Sequence, residues 1–179
     1  MAMARTVLIV AAAAVVLGAP PSRAEAQSLL ETAVKAAYLY KFGDFVEWPP
    51  SVFDGPSAAA QICIAGADPF GALLDQAVKG QRMGGRPIAV TRLDRVDRGA
   101  PCQILFIAPS PRQPVAEALD KVRGTPVLTV TDSAADPASR GVIDFVLKNN
   151  HVRFRIDGRA AGGAGLAVSS KLLSLAVRP

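Results

Sequence analysis

The run CQILFIA, residues 102–108, constrains the fold more than any other stretch of the chain. It is apolar at all positions but one, so it has no polar side to turn to water. A strand of this kind has to be covered on both faces, as central strands of parallel sheets are. Parallel neighbours need crossover connections, usually helical, and the flanking sequence offers them. QICIAGA (61–67) is a second short apolar run bounded by turn residues, and DPFGALLDQAVKG (68–80) follows with an Asp-Pro start and helical periodicity. GRPIAVTRLD (85–94) and TPVLTVTD (125–132) read as strands, and PSPRQPVAEALDKVRG (109–124) holds a helix closed by Gly124. The alternation predicts an α/β fold, a mostly parallel sheet flanked by helices.

Both ends depart from that alternation. Residues 28–47 read as one helix, with Ser28 and Glu31 as a capping box and Pro49 and Pro50 as its stop. DGPSAAA (54–60) is a linker. GVIDFVLKNNHVRFRID (141–157) alternates apolar and polar residues on both sides of Asn149 and Asn150. That pattern predicts a β-hairpin on the sheet edge. A terminal helix is expected from about Leu166, with the preceding glycines as its entry.

Residues 1–26 have the pattern of a secretory leader: Arg5, an apolar core, then the small-x-small triplet Ala24–Glu25–Ala26. Cleavage after Ala26 leaves residues 27–179 as one α/β domain. The apolar core falls short of the roughly 20 residues that a membrane span needs. The formal net charge of the whole chain is +5, with basic residues scattered among acids. Such a surface favours solubility and gives no footprint for nucleic acid. Cys63 and Cys102 form an even pair in a chain expected to be exported, which is read first as a disulfide. The other reading is two buried thiols acting as small apolar residues. They lack the C-x-x-C spacing of a thiol-redox enzyme.

The chemistry of enzymes is hard to find. The one histidine, His151, stands beside the hairpin turn, and neither H-E-x-x-H nor G-x-S-x-G occurs. One histidine and two cysteines do not make a zinc site. GGAGLA (162–167) has glycines before a helix but lacks the P-loop lysine and follows a hairpin. No metal, cofactor or catalytic set is expected. The carboxyl ends of three strands bring Asp68, Ser110, Arg112 and Asp132 into consideration. They could line a small polar pocket for a small-molecule ligand, or serve as caps and turn formers.

Two surfaces could bind a partner. YLYKFGDFVEWPP (38–50) holds five aromatic rings in a chain that is only 6% aromatic. Tyr38, Phe42 and Phe45 share a helix face, as core residues do. Tyr40 points elsewhere, and Trp48 sits at the exit corner. Both could be interface anchors or further core. Arg153 and Arg155 share one strand face, and Arg159 follows closely. The three could meet an acidic partner or anionic ligand, or simply face solvent.

Three stretches in order resemble a known family of exported bacterial proteins, the YfiR family. VKAAYLYKFGDFVEWP is similar to its N-terminal helix motif, and ILFIAPS with GTPVLTVTD to its middle. IDFVLKNNHVRFRIDGRAAGGAGLAVSSKLLSLA is similar to its C-terminal hairpin and helix. The resemblance spans about residues 32–177. It implies an α/β sheet flanked by helices and a periplasmic regulator without catalytic activity. Its implied partner is the periplasmic part of an inner-membrane diguanylate cyclase, whose inhibition lowers cyclic-di-GMP and biofilm formation. A homodimer is implied too, as is sensitivity of folding and repression to cysteine oxidation. Cys63 and Cys102 match a pair carried by some members. The second pair that some relatives carry near the hairpin is missing here.

Overall fold

Residues 22–177 are described by the computed structural model. The apolar part of the expected leader, residues 1–21, lies outside them. Helix α1 runs over Arg23–Lys41. Its cap lies six residues before the expected one, because Ser22 and Glu25 form the capping box: the Ser22 hydroxyl accepts from the Glu25 N–H and the Glu25 carboxylate from the Ser22 N–H. Ser28 lies inside the helix, and Glu31 bonds Lys35 instead. The helix also ends earlier than expected. Phe42–Phe45 tightens into a 3-10 turn, and Val46–Glu47 is a short strand, β1. Gly43 carries this turn against Met83, whose side-chain atoms lie 2.3 Å from where a Cβ would be.

The alternating part of the sequence forms β2 (Ala60–Ala65), α2 (Ala72–Val78), β3 (Arg82–Met83), β4 (Arg86–Leu93), β5 (Ile104–Ile107), α3 (Val115–Val122) and β6 (Leu128–Asp132). The hairpin is β7 (Ile143–Lys148) and β8 (His151–Ile156). Its two-residue turn has φ of 52° at Asn149 and 58° at Asn150, the left-handed pair that such turns require. Seven strands form one sheet in the order β3-β4-β2-β5-β6-β7-β8. The five inner strands are parallel, and β3 and β8 pair antiparallel at the two edges.

The glycine-rich end differs from expectation. Gly158–Gly163 is a helix, α4; Ala167–Val168 is a strand, β9, paired with β1; and only Ser170–Leu175 forms the terminal helix, α5. The Asp157 carboxylate makes the difference by accepting from the Arg159 and Ala160 N–H groups, which caps α4 where glycine propensity opposes a helix.

Two apolar layers sandwich the sheet. Under α1 and α2 lie Leu39, Phe42, Leu74, Ile62, Ile64, Phe106, Phe145 and Phe154. Tyr38 and Phe42 stack on each other, and the Phe42 ring meets Phe154 edge-on at 5.1 Å. Tyr40, Phe45 and Trp48 are half-buried against the same layer, so most of the aromatic stretch is core. On the opposite face α3 covers Cys63, Leu105, Ile107 and Val127. There Cys63 and Cys102 form a disulfide with Cα atoms 5.8 Å apart. It closes a loop of 39 residues, worth about 4 kcal/mol on the chain-entropy model.

Candidate functional site

In an open α/β sheet the ligand crevice lies where the strand order reverses, beyond the carboxyl ends. Here that point falls between β2 and β5, because β2 is followed on one side by β4 and on the other by β5. At that point the chains leaving β2 and β5 approach each other closely. The Ala67 N–H donates to the Pro109 carbonyl at 3.3 Å and the Ala108 N–H to the Ala65 carbonyl at 2.9 Å. Gly66, at φ 86°, sits so close that a Cβ would be 2.1 Å from the Ala108 oxygen. Of the four strand-end residues, Ser110 and Arg112 meet each other, while Asp68 and Asp132 are held by other partners. Asp68 accepts from the Phe70 and Gly71 N–H groups and from Arg92. Ser110 accepts from the Arg112 N–H, and the Arg112 guanidinium pairs with Asp94. Asp132 pairs with Lys35 of α1 at 2.6 Å.

The hairpin does gather functional groups. Alternation along β8 points Val152 and Phe154 into the α1 layer and His151, Arg153 and Arg155 to the opposite face. Arg155 stands opposite Asp144 in the ladder and donates from Nη2 to its Oδ2 at 2.6 Å. Asp144 is 2% exposed and also accepts from the Thr131 hydroxyl and the Ala134 N–H, so its charge is fully engaged. The Arg155 Nε is buried without a partner. Arg153 is exposed and donates only to the neighbouring Val152 carbonyl. His151 lies at the tip, its Nδ1 2.7 Å from the Asn149 carbonyl.

Arg140, Arg155 and Arg159 line one groove of about 570 Å³ together with Asp144, Asp157, Gly141, Val142 and Ile156. A second groove of about 550 Å³ continues from Arg140, Val142 and Arg159 between the end of α3 and α4. Arg140 donates to the Ala134 and Ala135 carbonyls. Among the described residues no carboxylate lies within ion-pair distance of Arg140, Arg153 or Arg159. Asp144 is engaged by Arg155 and Asp157 caps α4, so the unpaired charges at the groove are those of Arg140 and Arg159, beside the apolar Val142 and Ile156. Such a face suits a carboxylate-bearing surface, since arginine forks bind carboxylates bidentately. Of the arginines expected from the sequence, Arg155 and Arg159 line the groove and Arg153 does not, while Arg140, which also lines it, was not singled out. That residue lies before the hairpin, and only the β6–β7 pairing brings it alongside.

Trp48 and Tyr40 are not part of this face. Trp48 lies at a separate corner of about 320 Å³ with Phe53, Met83 and Arg86, and its indole N–H is buried without a partner. Among the described residues no cluster of three or more His, Cys, Asp or Glu could hold a metal, and no helix is long and apolar enough to cross a membrane.

Residues 32–177 match the YfiR/HmsC-like family, and the chain belongs to that family. The family is regulatory and periplasmic and is not known for an enzyme. No curated protein matches the chain.

Proposed function

We propose that the chain is a periplasmic repressor that binds the periplasmic part of an inner-membrane diguanylate cyclase and lowers cyclic-di-GMP signalling. The observation that carries this reading beyond family membership is the hairpin face. Arg140 and Arg159 line a groove there and Arg153 is exposed on the same hairpin, and among the described residues none of the three has a carboxylate within ion-pair distance. A partner with an acidic rim and an apolar anchor would satisfy both features. The repressor works as a homodimer. It is released into the periplasm by cleavage after Ala26. Cleavage there is compatible with the fold, because Arg23–Leu30 of α1 is exposed. Removal of Ser22 with the leader leaves Ser28 as the nearest capping residue for the shortened helix.

The reading is tested by crosslinking the tagged chain in the periplasm of its host and identifying what is captured. The wild type should bring down an inner-membrane diguanylate cyclase. A folded variant with both Arg140→Glu and Arg159→Glu should lose it. Capture of no cyclase, or equal capture by the variant, overturns the reading. A small-molecule sensor is the second reading, and the size of the hairpin groove, with the apolar Val142 and Ile156 in it, favours it.

A further inference from the structure

The two edges of the sheet are finished differently. At β8 the chain covers part of its own edge: the Val177 N–H donates to the outward-facing Phe154 carbonyl at 2.9 Å. At the other edge β4 is eight residues long, and β3 pairs with it only at Arg82↔Pro87 and Met83↔Arg86. On its inner side β4 pairs with β2 at six positions, from Ala60↔Ile88 to Ala65↔Leu93.

The hydrogen-bonding direction along β4 follows from the β3 turn. Gly84 and Gly85 have φ of 55° and 80°, so Met83↔Arg86 is the bonded pair that closes a two-residue hairpin. Arg86 therefore directs its main chain outward. Alternation places the main chain of Val90 and Arg92 outward as well and that of Ala89, Thr91 and Leu93 toward β2. Among the described residues nothing pairs with the outward N–H and C=O groups of Val90 and Arg92. Exposed edges of this kind are templates for an added strand.

Beside this open lane lies a cleft of about 380 Å³ between the end of α2 and β4. Val78, Ile88 and Val90 supply apolar wall, and Lys79 and Arg82 are exposed on its rim. Neither cation has a carboxylate within ion-pair distance among the described residues. Asp75 also borders the cleft, but the Arg92 guanidinium grips it through two hydrogen bonds of 2.8 Å and holds its carboxyl below the ordinary range.

We propose that the β4 edge is a second docking surface, which takes an extended acidic segment of another protein as an added strand. Main-chain bonds to Val90 and Arg92 supply affinity, and alternate side chains of the segment enter the cleft, as in other strand-addition sites. The unpaired charges of Lys79 and Arg82 select an acidic side chain there. A second copy of this chain fits poorly in the register centred on Val90. Antiparallel pairing of two β4 strands centred on Val90 would set Leu93 of each opposite Pro87 of the other, where Arg82 already lies. It would also bring the same cations together.

The test uses capped pentapeptides of alternating valine and threonine with a central glutamate or a central lysine. They are titrated into the ¹⁵N-labelled chain, and the amide shifts of Val90 and Arg92 are followed. The glutamate peptide should saturate both shifts and bind about tenfold more tightly than the lysine peptide, the effect expected of two rim cations. Val90→Pro removes the outward N–H without touching the β2 ladder, a placement that edge strands tolerate, and should abolish saturation of the Arg92 shift, the amide of the pair that this variant keeps. The exposed pair Lys79→Glu with Arg82→Glu should reverse the preference. Failure of both peptides to saturate these two shifts overturns the proposal, as do shifts that survive both variants or saturation only at the hairpin groove. No cyclase enters this experiment, so its failure leaves the repressor reading standing.

Discussion

Lys35 shows how one residue ties the first helix to the sheet. It is 8% exposed and donates to Glu31 at 2.5 Å and to Asp132 at 2.6 Å, across the top of β6. Burial by itself would lower the ammonium pKa, but the bonds to Asp132 and Glu31 outweigh it and hold the group above its ordinary value of 10.5. A raised lysine stabilises the fold fully below the ordinary value, and its contribution is lost as pH rises through the raised one. The melting temperature should thus be insensitive to Lys35 titration at neutral pH and fall only under strongly alkaline conditions. Lys35→Met should cost about 1–3 kcal/mol in denaturant unfolding at neutral pH, less than a fully buried pair because both carboxylates remain partly exposed. Its deficit should shrink as pH rises past the lysine range. The role of Lys35 was not legible in the sequence, since Asp132 lies 97 residues away. Asp132 itself was singled out, as a candidate for a strand-end ligand pocket and not as the partner of Lys35.

At the scale of elements, what the sequence revealed depended on how local the cause was. The apolar run at β5, the Asn-Asn turn and the alternation of β7 and β8 were readable because each is set by neighbours in the chain. The boundaries of α1 and α4 were not. Ser22 and Ser28 are both competent caps with Glu three residues on, and helical continuity from Arg23 decides for the first. Six residues with three glycines do not announce a helix, and α4 exists because Asp157 caps it. β3 was missed for a related reason. Two residues carry no period, and only the Gly84–Gly85 turn hints at a hairpin. That short strand leaves a directly measurable signature. Hydrogen exchange should show the Ala89 and Thr91 amides protected by the ladder with β2, while the Val90 and Arg92 amides exchange at least tenfold faster. Equal protection at all four would mean that the outer edge of β4 is covered.

For the molecule as a whole, the fold places unlike surfaces at opposite ends of one sheet. The disulfide and the two apolar layers tie the centre of the sheet together. The surfaces proposed for recognition are the arginine-lined hairpin at one edge and the open β4 at the other. The family membership was legible in three sequence stretches, but the groove was not, because Arg140 and Arg159 meet only after β7 pairs with both β6 and β8. The central claim is that the chain restrains a diguanylate cyclase through the hairpin face. It is tested most directly by measuring cellular cyclic-di-GMP in a host strain that lacks the chain and is complemented with wild type or with the Arg140→Glu, Arg159→Glu variant at equal periplasmic levels. The account predicts that the wild type lowers cyclic-di-GMP and that the folded variant fails to. A level unmoved by the wild type, or lowered equally by the variant, would contradict it.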